Sequence, residues 1–225
     1  ATLDKDNDYK IVAEQYGAKY NLDDSIKAFN KAKEGEEFTI ACKAIVPSIT
    51  KEDLEKNLFK DVLGEYTFRI SPLSFYQVNP IQAEKLYNLG VEMAQITKQD
   101  TVFDLYCGIG TITLFMSKYA KKVYGIEIVE EAIDAAKENA KINNIDNTEF
   151  YAGDVEFVLD DLINNKGISA DIVMFDPPRK GLDRNSINNI LKIKPKKIVY
   201  ISCNPSTLIR DLAFFEDQYD IKTIV

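Results

Sequence analysis

From about position 81 to its end the chain alternates strand-like and helix-like periods, and that alternation restricts it to a parallel sheet with helices packed on its faces. Residues 81–96 carry Ala83, Leu86, Leu89 and Met93 at helical spacing. A strand at 101–106, a helix at 111–120, a strand at 122–127 and a helix at 129–143 are predicted next. The pattern continues with a strand at 148–152, a helix at 155–164, a strand at 170–175 and a helix at 185–191. A strand at 197–202, a helix at 205–215 and a final strand at 219–225 complete it, with no internal repeat.

Residues 1–70 read differently, as an accessory α+β region. A helix is expected at 25–33, a strand at 37–46, a turn at Pro47 and a polar helix at 51–60. The expected division is therefore 1–70 and 71–225, the second part being an α/β Rossmann-like sheet that breaks off before its last strand. Ala1 is not an initiator Met, and the stop at Thr223-Ile224-Val225 falls inside an apolar alternation, as in a piece of a longer protein.

Composition removes several chemistries. The 225 residues contain no histidine, and Cys42, Cys107 and Cys203 have no metal-ligand or disulfide-framework spacing, so a zinc or iron site is not expected. With no signal-like or membrane-length apolar segment, the setting reads as reducing and cytoplasmic. Acid–base work falls to carboxylates, Lys, Tyr, Cys or water. A formal charge of −8 argues against a general basic field for nucleic acid but leaves room for a local patch.

Phe103-Asp-Leu-Tyr-Cys-Gly-Ile-Gly110 ends a strand in a tight loop whose glycines, Gly108 and Gly110, let the backbone approach a ligand just before a helix. Glu127 closes the next strand 19 residues beyond Gly108, where a carboxylate can accept both hydroxyls of a ribose. A dinucleotide site would want a third glycine, and Thr113 stands there instead. A ribose without a pyrophosphate fits better, and S-adenosylmethionine is the common ligand of that kind. Asp154 then falls at the expected adenine edge, and it also suits a helix N-cap; the two roles can coexist. Cys107 reads as packing.

Asp176-Pro-Pro-Arg-Lys-Gly181 follows the fourth strand at the carboxyl edge, where two prolines hold a carboxylate and Arg179 in an extended loop. Cys203 ends the fifth strand at the same edge, immediately before a helix start at Pro205. Partial positive charge at a helix start favours a thiolate over a thiol of ordinary pKa about 8.5. A methyl donor beside a nucleophilic cysteine suits a carbon that must first be activated, such as pyrimidine C5.

Ser74-Phe-Tyr-Gln-Val-Asn-Pro80, Asp104-Leu-Tyr-Cys-Gly-Ile-Gly110, Asp176-Pro-Pro-Arg-Lys-Gly181 and Ser202-Cys-Asn-Pro205 with Thr207 and Arg210-Asp-Leu212 together resemble the RNA uracil-5-methyltransferases of ribosomal or transfer RNA. The resemblance covers roughly 64–225. It implies that Gln77, Tyr106, Glu127 and Asp176 contact S-adenosylmethionine, that Cys203 attacks uracil, and that the partner is RNA, with a lean toward ribosomal RNA. Family members usually carry an RNA-binding barrel, often with an iron–sulfur cysteine cluster, and a C-terminal segment whose Glu removes a proton. Neither is recognisable here, so turnover by these 225 residues alone is not expected, and Glu216 and Asp217 are poor substitutes on or after a surface helix. The alternatives are an RNA cytosine-5-methyltransferase, which would want a cysteine where Arg179 stands, and a non-catalytic cofactor- or RNA-binding fragment.

Overall fold

The computed structural model describes residues 60–70, 76, 77 and 79–225 in full, and short backbone segments before them. By contact the chain divides into two units, Ala1–Phe59 and Lys60–Val225. In the first, β1 (Thr2–Asp4) pairs antiparallel with β2 (Lys10–Val12), and β3 (Gly17–Tyr20) with β4 (Cys42–Ile45). β4 lies within the strand expected at 37–46, and Lys27 and Lys31 are helical. The rest of the elements expected before residue 60 lie outside the described residues.

The second unit opens with a hairpin, β5 (Lys60–Leu63) and β6 (Tyr66–Arg69), turning at Gly64. Lys60, the last residue of the polar helix expected at 51–60, instead starts this strand: it pairs with Arg69, and the hairpin buries Leu63, Tyr66 and Phe68. By contact the hairpin groups with the residues that follow it.

Five parallel strands follow: β7 (Thr101–Leu105), β8 (Lys122–Glu127), β9 (Thr148–Ala152), β10 (Ile172–Phe175) and β11 (Lys197–Tyr200), in spatial order β11-β10-β7-β8-β9. The expected α/β sheet is present. β7 and β10 lie at its centre and read as near-continuous apolar runs because both their faces are covered. Val102, Ile172 and Met174 point into one core with α1 (Pro80–Ala94), α2 (Thr111–Ser117) and α3 (Glu130–Ile142). Phe103, Leu105, Val173 and Phe175 point into the other, with α4 (Val155–Asp160) and α5 (Arg184–Ile193). The sheet order reverses between β7 and β10, and at such a point the carboxyl edge opens a crevice.

Helix starts follow their caps. Asn79 accepts from the Gln82 amide ahead of Pro80, Asp183 from the Ser186 amide, and Asn204 from the Ser206 amide at the start of α6 (Pro205–Leu212). α6 is shorter than expected and ends in turns at 213–218, and α4 passes at Asp161 into a single π turn through Asn165. The strand expected at 219–225 is absent. Those residues make no ladder bonds, and Tyr219 instead stacks edge-on against Phe215 and donates to the Pro195 carbonyl. Apolar alternation by itself does not make a strand until ladder bonds form.

Candidate active site

The loop after β7 is built by hydrogen bonds that leave its outer side bare. The Cys107 amide extends the β7–β8 ladder to the Ile126 carbonyl (3.0 Å), and the Gly110 amide turns back to the Cys107 carbonyl (2.9 Å). Three of its residues take left-handed backbone: Tyr106 (φ 65°), Gly108 (φ 54°) and Gly110 (φ 83°). A non-glycine there is uncommon and marks a conformation held by its surroundings. A side chain on Gly108 would meet nothing within 4 Å, so this stretch of backbone faces open space.

Glu127 is tied to that loop. Its carboxylate accepts from the Gly108 amide (3.2 Å) and from the Val129 amide (3.1 Å). An ionised carboxylate has about four lone-pair sites, so two remain for a ligand's hydroxyls. Gly108, Gly110 and Glu127, chosen by spacing, are therefore one cluster. Asp154 caps α4, accepting from the Glu156 amide (2.9 Å), so its N-cap role is observed.

On the opposite side of β7 a second cluster forms around buried acid. Asp104, 1% exposed, accepts from the Thr113 hydroxyl (2.5 Å). Burial pushes its carboxyl up to about 7, against the pull of Thr113 and with a further push from Asp176. Asp176 itself is pushed up to about 6 by burial. Both carboxyls also act on Tyr87, whose phenol is pushed up to about 12 by burial, with Thr111 and Gln77 opposing. Gln77 and Asp176, expected at one site, both bear on the Tyr87 phenol. Asp104 and Tyr87 were not singled out from sequence. The signal for Asp104 was legible, since a carboxylate inside Val-Phe-Asp-Leu is out of place in a strand buried on both faces.

Cys203 lies two residues beyond the last ladder bond of the β10–β11 pair, which the Ile201 amide donates to the Phe175 carbonyl (2.9 Å). The thiol is exposed, whereas Cys107 is buried, its thiol pushed well up by burial. Hydrogen bonds between Ser202 and Asn204 flank it, and the Asn204 side-chain amide donates to the Arg179 carbonyl (3.1 Å). Arg179 is exposed in the turn 179–180 and has no ion-pair partner among the described residues. Glu216 and Asp217 are exposed in the turns after α6.

One carboxyl edge thus carries a carboxylate with lone pairs to spare, an open glycine loop, a buried acid and an exposed thiol. The family model described as tRNA (uracil-5-)-methyltransferase matches residues 47–225. The chain belongs to this family. An uncharacterized RNA methyltransferase of Clostridium tetani is 52% identical over 162 residues, 72% of this chain and 35% of that protein. One from Listeria innocua is 47% identical over 176 residues, 78% of this chain and 39% of that protein. The chain spans little more than a third of the curated relatives it matches. Among solved structures, the Pyrococcus abyssi tRNA (uracil-54, C5)-methyltransferase in complex with S-adenosyl-L-homocysteine is 32% identical with a TM-score of 0.61, covering 74% of this chain and 39% of that one. A precorrin 8w decarboxylase from Methanobacterium thermoautotrophicum, 22% identical with a TM-score of 0.54 over 67% of this chain and 77% of that one, shares the fold. Among the described residues no helix is long and apolar enough to cross a membrane, and no group of three or more Cys, Asp or Glu is gathered for a metal ion.

Proposed function

We propose that this chain is the cofactor-binding and thiol-bearing part of an S-adenosylmethionine-dependent RNA uracil-5-methyltransferase. The observation that carries the reading is the exposed Cys203 thiol on the same sheet edge as the Gly108–Glu127 cluster, one strand from Asp176. The residues fit the cofactor: open backbone at Gly108 admits it, Glu127 has lone pairs left for the ribose, Tyr106, Gly110, Asp154 and Asp176 follow the carboxyl ends of strands, and Gln77 is a contact by the family resemblance. When bound, S-adenosylmethionine supplies an electrophilic methyl group on a sulfonium.

The protein's own task is to make uracil C5 a nucleophile. The Cys203 thiolate adds to C6, forming a C–S bond and moving the ring π pair onto the C5–C4–O4 enolate, so that C5 carries the electron density. Once C5 is methylated, transfer of its proton to a base, which the family resemblance puts on a C-terminal Glu segment not recognised in these 225 residues, restores the C5–C6 double bond, expels the thiolate and regenerates Cys203. In this reading Asp176, whose carboxyl burial pushes up to about 6, hydrogen-bonds the base edge, and Arg179, without an ion-pair partner among the described residues, serves the RNA or the developing enolate. A flipped or single-stranded uridine meets such an edge more readily than a paired one. The substrate is ribosomal or transfer RNA: the resemblance leans toward ribosomal RNA, while the family description and the Pyrococcus abyssi enzyme name transfer RNA.

The test is methylation by the full-length protein of ribosomal and transfer RNA transcripts with labelled donor, read by nucleoside mass spectrometry. 5-Methyluridine is expected from one transcript, and none from Cys203→Ala. Methylated cytidine or ribose, or an unimpaired Cys203→Ala enzyme, would overturn the reading.

A further inference from the structure

Arg210 and Asp211 belong to a sequence motif that the chemistry above leaves without a role. Asp211 is 0% exposed, and both its carboxylate oxygens are used. Oδ1 accepts from Arg210 Nε (2.9 Å) and Nη2 (2.7 Å), while Oδ2 accepts from the Leu182 amide (2.8 Å) and the Tyr200 hydroxyl (2.8 Å). Arg210 Nη2 also donates to the Lys180 carbonyl (2.8 Å) and reaches that of Leu182 (3.3 Å). The pair therefore grips the loop that begins at Asp176 from the helix that begins just after Cys203. Gly181 shows how close the grip is: at φ 75° its missing side chain would run into Asp211 Oδ2 and lie 2.6 Å from Arg210 Nη2. Asn204 to the Arg179 carbonyl is the second tie between the same two segments.

We propose that Arg210 and Asp211 are the positioning residues of this edge, holding the Asp176–Gly181 loop and the Cys203 turn as one rigid piece so that carboxyl and thiol face the substrate in fixed register. Neither touches the reacting atoms. A buried carboxylate with four donors is costly to leave half-satisfied, which makes the arrangement all-or-none. The assignment of substrate rests on the reading under Proposed function, and the clamp itself does not.

Two arms test it on the full-length protein. In the first, amide hydrogen exchange compares wild type with Asp211→Asn and Tyr200→Phe; the Leu182 amide should exchange at least tenfold faster in Asp211→Asn and severalfold faster in Tyr200→Phe, with Val173 in the central strand unchanged. In the second, turnover should fall at least tenfold in Asp211→Asn while the Kd for the methyl donor, by calorimetry, stays within twofold. Wild-type exchange at Leu182 in either variant, or losses of turnover and donor affinity in equal proportion, would overturn the proposal. Should Asp211→Asn not fold, Tyr200→Phe carries the same two measurements. Faster Leu182 exchange with no methylated uridine from wild type would sustain the clamp and sink the substrate assignment.

Discussion

Glu127 is proposed to do two things with one side chain. It braces the loop through the Gly108 and Val129 amides, and its remaining lone pairs are the proposed ribose contacts. Glu127→Ala should lose both, each charge-assisted bond being worth roughly 1.5–3 kcal/mol, so donor affinity should fall at least tenfold by calorimetry. An unchanged Kd would dismiss Glu127 as the ribose ligand. Asp104 makes a prediction about pH. Its carboxyl, about 7 when folded against 3.8 in the free residue, binds a proton that the unfolded chain releases earlier. Below pH 4 both states are protonated and the group is neutral in its effect; between about 4 and 7 stability declines as pH rises, by on the order of 4 kcal/mol in all, and levels off above. Asp176 adds a decline of the same sign up to about 6. Urea unfolding at several pH values should show a flatter profile for Asp104→Asn, and an identical slope in mutant and wild type would mean that Asp104 is ionised in the fold.

At the scale of elements, the hairpin β5–β6 is attached to the sheet unit by a helix acting as if it were a strand. Asn139 on α3 accepts from the Arg69 amide (2.6 Å) and donates to the Arg69 carbonyl (3.1 Å), and one turn on, Asn143 exchanges the same pair of bonds with Thr67 (2.9 and 2.8 Å). The Asn139 amide also holds the Ile109 carbonyl (3.0 Å), so the hairpin and the glycine loop share one support. Asn139→Ala removes three bonds from a fully buried site and should cost about 2–4 kcal/mol in urea unfolding, with faster exchange at the Arg69 amide. Unaltered stability would show that Leu63, Tyr66 and Phe68 hold the hairpin without it.

Over the whole molecule, the two described thiols report on different things. Cys203, exposed at the sheet edge, should be alkylated in the native protein, whereas Cys107, buried with its thiol pushed well up, should be labelled only when the sheet opens. Peptide mass spectrometry along a urea series should show Cys203 modified at every concentration and Cys107 following the unfolding transition; early labelling of Cys107 would mean that the glycine loop opens locally. The sequence alone determined the order of strands and helices from β7 to α6, because buried strands and one-sided helices impose periods that survive in the residue pattern. It also determined Gly108, Glu127, Asp176 and Cys203 as site candidates, since in a parallel sheet every strand ends on the same side and residues at strand ends meet there. It misjudged 219–225, where apolar alternation makes no ladder bonds, and Lys60, which pairs with Arg69 across the hairpin instead of ending a helix. Only the tertiary structure decided the roles of Asp104, Asn139 and Asp211. Their meaning lies in bonds to Thr113, to Arg69 and Ile109, and to Leu182 and Tyr200, partners mostly tens of residues away that no local pattern connects, and in burial that turns an ordinary polar side chain into one that must be satisfied.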